Sequence, residues 1–209
     1  MLRGFLSNLG YSNNAIDKIL ADKRMQNYSE LSLKNSVEKA HNFLLNIGYT
    51  KEQIIKMGSS NVVIFFLTEE YMKRKIQDLI SLGYTKEQVI KMTVILPSLL
   101  AYSIQNLNKK IEDIKKIGYT KNQIIKMTAY APAIYSHSIN SILEKISLLI
   151  DLGYTKEQVT KITITNSILF NLSLENIKQI INELINIGYT KEQVIKMSCQ
   201  LPTLINYSN

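Results

Sequence analysis

Residues 83–92 read Gly-Tyr-Thr-Lys-Glu-Gln-Val-Ile-Lys-Met, and nearly the same ten residues occur five times in the chain. The copies begin at glycines spaced 35 residues apart, namely Gly48, Gly83, Gly118, Gly153 and Gly188. A degenerate copy, Gly10-Tyr11-Ser12, lies 38 residues before the first of them. Repetition at this period is typical of stacked supersecondary units that bury their apolar faces only against one another. The sequence therefore predicts an array of repeats.

Each repeat carries the start and stop signals of two helices. In the copy at 83–117, Thr85 and Gln88 have the spacing of a capping box, which begins a helix. Pro97 ends that helix, and Ser103 is a candidate N-cap for the next one. Gly118 fits the left-handed position that closes the second helix, and Tyr119 after it should contact the last turn. The repeated tyrosines are therefore expected to be structural.

These signals predict an all-α fold, a right- or left-handed α-solenoid with two helices and a short 3₁₀ turn per repeat. We expect a degenerate capping repeat at 1–47 and a continuous array at 48–209 with four full copies and a C-terminal half-copy. First helices are predicted near 51–60, 86–96, 121–131, 156–166 and 191–201. Second helices are predicted near 69–82, 104–117, 139–152 and 174–187.

The full phrase resembles the repeat of the mitochondrial transcription termination factor (mTERF) family. The matching residues are Leu82 to Met92, Pro97 to Ser103, Leu107, Lys110 and Ile111. Val62 and Ser167 depart from the proline at the helix stop. The resemblance implies an all-helical solenoid that binds nucleic acid along a basic inner surface. A weaker likeness, to TAL-effector-type repeats, rests on the Thr-x-Glu-Gln-Val opening of the first helix.

The composition suits a basic protein that binds a polyanion. The 209 residues contain 25 Lys or Arg and 17 Asp or Glu, which gives a formal charge of +8. Only three of the basic residues are arginines, which argues against an Arg-rich transit peptide and against guanine reading by arginine as the main contact. We therefore expect a cytoplasmic or nucleoid-associated protein rather than a mitochondrial one. Cys199 is the one cysteine, and no apolar run is long enough to span a membrane.

One candidate nucleic-acid surface follows the first helices. A lysine precedes the last turn of each first helix, at Lys56, Lys91, Lys126, Lys161 and Lys196. The side chain one turn later varies among the copies, as Ser60, Ile95, Tyr130, Thr165 and Gln200. A phosphate-binding lysine beside a variable reader suits a modular binder, and we single out Tyr130, Thr165 and Gln200 as base contacts. The alternative is a solvated Glu–Lys face, because a glutamate lies four residues before most of these lysines.

The second candidate surface follows the second helices. Lys75, Lys110 and Lys145 recur at the period of the array, and Arg74 and Lys109 strengthen the local positive charge. These lysines are predicted to form a phosphate-binding ladder outside the core. The alternative is that they border the apolar stripe and extend along it to reach solvent.

No pattern in the sequence indicates catalysis. His41 and His137 occupy unrelated repeat positions, and the recurring glycines are helix caps rather than a phosphate loop. We expect no enzyme, no cofactor and no metal. The leading function is a nucleic-acid-binding repeat protein, with DNA favoured over RNA. The alternatives are a solenoid that binds a protein or peptide, or RNA. The half-copy after Gly188 predicts an exposed apolar face that could promote self-association.

Overall fold

The structure is a computed structural model that describes residues 2–206. Among these residues it contains α-helices and short 3₁₀ helices and no strand, which confirms the all-α repeat fold. The α-helices are α1 Leu2–Leu9, α2 Asn13–Ala21, α3 Glu30–Asn46, α4 Lys51–Ser60, α5 Glu69–Leu82, α6 Lys86–Ile95, α7 Ile104–Lys116, α8 Lys121–Tyr130, α9 Ile139–Asp151, α10 Lys156–Thr165, α11 Leu174–Ile187 and α12 Lys191–Gln200. The 3₁₀ helices are Met25–Asn27, Val62–Phe66, Pro97–Ala101, Pro132–Ser136, Ser167–Asn171 and Pro202–Asn206.

The helices group into two compact units, an N-terminal unit at Met1–Ile104 and a C-terminal unit at Gln105–Asn209. In the N-terminal unit, the first helices α2, α4 and α6 pack side by side, as do the second helices α1, α3 and α5. In the C-terminal unit the first helices α8, α10 and α12 pack in the same way, and α9 packs on α11. Each unit is thus a layer of first helices stacked on a layer of second helices. The predicted single continuous array at 48–209 stays a prediction.

The predicted helix starts are confirmed, because all five capping boxes form. Thr85 Oγ1 accepts from the amide of Gln88, and Gln88 Oε1 accepts from the amide of Thr85 at 2.8 Å. Several helices end one residue earlier than predicted. Leu96, for example, leaves the helix at φ −130° because the following proline disfavours the helical conformation in the residue before it.

A 3₁₀ helix also forms in the copies that lack the proline, and asparagine ends the first helix there. Asn61 adopts an extended conformation, and its side-chain oxygen accepts from the amide of Val63 at 3.0 Å. Asn166 is buried and donates to the carbonyl of Pro202 at 2.7 Å and to Oδ1 of Asn206 at 2.9 Å. The helix end that a proline provides in the other copies is thus formed by two different arrangements of asparagine hydrogen bonds.

The repeated glycine closes the second helix in the left-handed conformation, as the sequence predicts. Gly48 has φ +105°, its amide donates to Leu45, and the amide of Tyr49 donates to Leu44. These two bonds define a Schellman motif, which only a residue that tolerates positive φ can close easily. The motif also orients the next tyrosine into the core.

The buried tyrosines join successive repeats. The hydroxyl of Tyr49 lies 2.7 Å from Oγ1 of Thr93, 44 residues later in the chain. The same distance separates Tyr119 from Thr163 and Tyr154 from Ser198. Burial raises the pKa of Tyr49 to about 12, so this hydroxyl remains protonated at neutral pH. The structural role predicted for these tyrosines is confirmed.

Candidate nucleic-acid interface

The first-helix lysines lie in the open. All five are exposed, and they occupy the same register on helices that pack side by side within each unit. Among residues 2–206, no ion pair within 4.0 Å involves any of the five, Lys56, Lys91, Lys126, Lys161 and Lys196. We call this set the first-helix row. Its ammonium groups are free to meet a partner.

The glutamates that precede these lysines face the helix N-terminus instead. The pKa of Glu87 is lowered chiefly by a hydrogen bond to its own backbone amide and then by one to the side chain of Thr85. Glu52, Glu157 and Glu192 show the same lowered pKa with the same leading causes. A carboxylate near a helix N-terminus meets unpaired amides and the positive end of the dipole. The alternative of a paired Glu–Lys face is therefore not seen as an ion pair within 4.0 Å in residues 2–206, although the charge of Lys91 also contributes to the lowered pKa of Glu87.

This row has a sixth member that was not predicted from the sequence. Lys18 follows Gly10 by eight residues, as Lys56 follows Gly48, and it is exposed near the end of α2. Because α2, α4 and α6 pack in order, Lys18 extends the row in the N-terminal unit. The constant separation in sequence from the repeat glycine could have revealed Lys18, although the first copy is spaced differently from the others.

The variable side chains lie exposed one turn after the first-helix row. Tyr130 is 55% exposed and Ile95 is 51% exposed. Ser60, Thr165 and Gln200 are exposed as well. Thr165 uses its hydroxyl proton within the helix, donating to the carbonyl of Lys161 at 2.8 Å. Its oxygen can still accept a hydrogen bond.

The second-helix lysines are less accessible than expected. Lys75 is 8% exposed and Lys145 is 7% exposed, so the expectation that they lie outside the core is wrong. Lys75 lies over the ring of Tyr71 and 3.4 Å from a carboxylate oxygen of Asp78. Lys145 donates to Oγ of Ser141 at 2.9 Å. Their stems pack along the apolar stripe, which the repeat period alone does not distinguish from an exposed ladder.

Lys110 is the half-buried member of the second-helix set. It donates to the carbonyl oxygen of His137, and burial lowers its pKa. Arg74 and Lys109 are exposed, and the guanidinium of Arg74 lies 5.3 Å from the ring centre of Tyr71. These two neighbours keep positive charge at the surface of the second helices, whereas the lysines of the predicted ladder are engaged within the protein.

A third set of lysines has a structural role that the sequence analysis did not foresee. An ideal β-carbon on Gly153 would lie 3.4 Å from Nζ of Lys191, and one on Gly48 would lie 4.0 Å from Nζ of Lys86. Each lysine starts a first helix yet lies against the C-terminal cap of a second helix one repeat earlier, which is α9 for Lys191 and α3 for Lys86. The negative end of that helix dipole favours a cation at this place.

The described residues contain no group of three His, Cys, Asp or Glu side chains placed to hold a metal ion. Cys199 is a free thiol, half-buried, and burial raises its pKa. None of the helices in residues 2–206 is both long enough and apolar enough to cross a bilayer.

Comparison with known proteins agrees with this architecture. The mTERF family model matches residues 4–116 and again residues 105–209. A comparison with curated proteins found no match. Members of the mTERF family are generally helical-repeat proteins that bind nucleic acid. With both matches together spanning nearly the whole chain, and with its capped two-helix repeats, the chain belongs to the mTERF family.

Proposed function

We propose that the protein binds double-stranded DNA, with the lysines of the first-helix row contacting phosphates. The observation that carries this proposal is the exposure of lysines at one register, which form no ion pair within 4.0 Å in residues 2–206, beside exposed side chains that vary. A lysine binds a phosphate as a point charge and adds affinity without sequence preference. The general activity of the family supports the same role.

The choice of a DNA duplex rests on the side chains next to the row. Proteins that bind single strands present aromatic side chains on which successive bases stack. Tyr130 is the one aromatic side chain among the five variable positions. Duplex RNA hides its base edges in a deep, narrow major groove, whereas the major groove of DNA admits a helix. Of the two duplexes, only DNA has a major groove in which a polar side chain on a helix, such as Gln200, would reach base edges.

The test is the fluorescence anisotropy of a labelled mixed-sequence DNA duplex at two salt concentrations. If six lysines contact phosphates, the affinity should fall roughly a thousandfold between about 50 and about 200 mM salt. The same measurement with duplex RNA and single-stranded RNA is the control, and both should bind more weakly. Salt-insensitive binding would refute the proposal. Tighter binding to RNA than to DNA would identify RNA as the ligand.

A finer part of the proposal concerns base preference. Tyr130, Thr165 and Gln200 carry no charge, so replacing all three should change the preference among DNA sequences and leave the salt slope intact. Selection of bound duplexes from a random pool would reveal the change. Identical selected sequences for both proteins would show that these positions do not read bases.

We further propose self-association through the exposed apolar face at the end of the C-terminal unit. Ile187 is 74% exposed and Tyr189 is 42% exposed, although the other capping tyrosines are buried. Leu201 is also exposed. Sedimentation over a range of concentrations should show a larger species for the natural chain than for a variant with Ile187→Gln and Leu201→Gln. A concentration-independent monomer would refute this part.

We propose a binding role without catalysis. Its support is that the recurring polar residues already have structural partners in caps and joints, such as Gln88 with Thr85 and Thr93 with Tyr49. Turnover of a bound oligonucleotide during the anisotropy measurement, seen as shorter products on a gel, would refute it.

A further inference from the structure

An apolar groove lies in the N-terminal unit between α3, α5 and the start of α6. Its walls are the half-buried side chains of Phe43, Ile47, Ile76, Ile80 and Ile90. The cavity volume is about 230 Å³. Half-buried apolar walls around an open cavity leave apolar surface in contact with water. Covering this surface with a partner would stabilise the complex.

The polar groups around this groove are cationic or neutral. Lys73 and Lys86 line it together with Gln77, and no carboxylate does. Both lysines are exposed, and among residues 2–206 neither takes part in an ion pair. An apolar ligand that also carries negative charge would fit this surface better than a neutral or basic one.

The C-terminal unit offers an internal comparison three repeats later. At positions shifted by 105 residues the apolar side chains recur as Leu148, Leu152, Ile181, Ile185 and Ile195, and the lysines recur as Lys178 and Lys191. There, however, Lys178 lines a depression that also contains Glu144 and Asp151. The corresponding residues of the N-terminal unit are Lys39 and Asn46. Of the equivalent positions, Leu148 and Lys178 line this depression, and two carboxylates accompany them where the lining of the N-terminal groove has none. The N-terminal groove is therefore the better suited of the two to an anion.

The size of the groove decides between a small molecule and a side chain. Pockets for drug-sized ligands measure about 300–1,000 Å³. A single anchor residue at a protein interface fills a pocket that becomes desolvated when the partner binds. A volume of about 230 Å³ lies below that range. It suits one aromatic side chain or a pair of aliphatic ones.

We propose that this groove docks a short segment of a partner protein in which a leucine or phenylalanine anchor is flanked by Asp or Glu. The anchor enters between Ile76 and Ile90, and the flanking carboxylates meet Lys73 and Lys86. The interaction is separate from the first-helix row, because Lys56 and Lys91 do not line the groove. It therefore does not depend on DNA binding.

The probe is a phage-displayed library of short random peptides, selected on the whole chain and depleted on a Lys73→Glu, Lys86→Glu variant. The enriched peptide is then synthesised with a fluorescent label, and its affinity is measured by anisotropy. The matched control is the Lys178→Glu, Lys191→Glu variant, which makes the same charge change at the corresponding positions of the C-terminal unit. Circular dichroism verifies that both variants fold.

The proposal expects enriched peptides with an apolar anchor between acidic residues. The Lys73→Glu, Lys86→Glu variant should bind the peptide about tenfold more weakly or worse, and the control should stay within about twofold of the natural chain. Absence of such peptides, or an equal loss in both variants, would overturn the proposal. Displacement of the bound peptide by a DNA duplex would also overturn it, because the groove would then belong to the nucleic-acid surface.

Discussion

The first two joints between repeats place a tyrosine in the same position but satisfy its hydroxyl with different groups. Tyr49 meets Thr93 in α6, the first helix of the next repeat, whereas Tyr11 meets Nε2 of His41 at 3.1 Å. The position equivalent to Thr93 is Gly58, and an ideal β-carbon there would lie 2.5 Å from the hydroxyl of Tyr11. The comparison teaches that the tyrosine and its Schellman turn fix the joint, while the chemistry of its partner can change.

The histidine gives the first joint a property that the later ones lack. Its Nδ1–H donates to the carbonyl of Val37 at 2.9 Å, so Nε2 accepts from the hydroxyl of Tyr11. Both groups are buried, and the ring of Phe65 stacks on that of His41. This joint therefore depends on a neutral imidazole, whereas the Tyr–Thr joints contain no group that titrates near neutral pH.

The largest expected effect comes from forcing the first joint to resemble the second. Gly58→Thr should destabilise the protein by about 3 kcal/mol, because the new side chain overlaps Tyr11 and also Cζ of Phe65, 2.5 Å from the β-carbon. Urea denaturation followed by circular dichroism measures the loss. Since a threonine has a higher helix propensity than glycine, an unchanged or increased stability would show that the site has room.

A smaller effect should separate the two tyrosines. Tyr11→Phe leaves Nε2 of His41 buried without a donor, which should cost about 2 kcal/mol. Tyr49→Phe should cost only about 1 kcal/mol, because Oγ1 of Thr93 still donates to the carbonyl of Val89. The measurement is the free energy of unfolding of each variant, compared with that of the natural chain. Equal costs would mean that the two hydroxyl partners are equivalent.

The glycine cap before each tyrosine is the part that the joints share. Gly118→Val should cost about 1–2 kcal/mol, because φ is +113° and a β-branched residue resists that conformation. Apart from the adjacent residues, no heavy atom lies within 4 Å of an added β-carbon at Gly118, so backbone strain is the main cost. Gly153→Val should cost more, since its β-carbon would also press on Lys191. Identical melting temperatures for both variants would contradict this reasoning.

A further effect is a dependence on pH that belongs to the first joint. Burial lowers the pKa of His41, so the unfolded state binds its proton more readily than the folded state. Stability should be full above the unfolded value of about 6.5 and should fall as the pH drops below it, by at most about 1.4 kcal/mol per pH unit. The measurement is the difference in pH dependence between the natural chain and His41→Gln. Parallel curves would show that His41 does not titrate on unfolding.

The regular part of the fold could be predicted because local signals repeat. Thr85, Gln88 and Gly118 act within one turn of their own helix, so their roles depend on neighbouring residues alone. The end of the helix at Asn61 was harder to predict from the sequence, because an asparagine can end a helix or continue it, depending on which group its side chain hydrogen-bonds. The burial of Asn166 depends on Asn206 in the next repeat, which periodicity does not reveal.

The candidate site was predicted less completely, for a related reason. The equal spacing of Lys75, Lys110 and Lys145 predicted a ladder. Spacing alone does not distinguish a lysine stem that packs along the core from one that points away from it. The position of Lys86 against the cap at Gly48 depends on packing between repeats and not on its own helix. Lys18 could have been predicted, because it follows Gly10 by the same number of residues as the other lysines of the row follow their glycines.

The central claim is that the first-helix row, and not the second-helix set, contacts phosphates. The most direct measurement compares the salt dependence of DNA affinity for the natural chain and for a variant with Lys126→Gln, Lys161→Gln and Lys196→Gln. A variant with the same three changes at the exposed residues Lys23, Lys39 and Lys178 is the matched control. The first-helix variant should lose about 2.7 units of the slope of log affinity against log salt, about 0.9 for each contact, with little change in the control. A first-helix variant whose slope equals that of the natural chain would contradict the account.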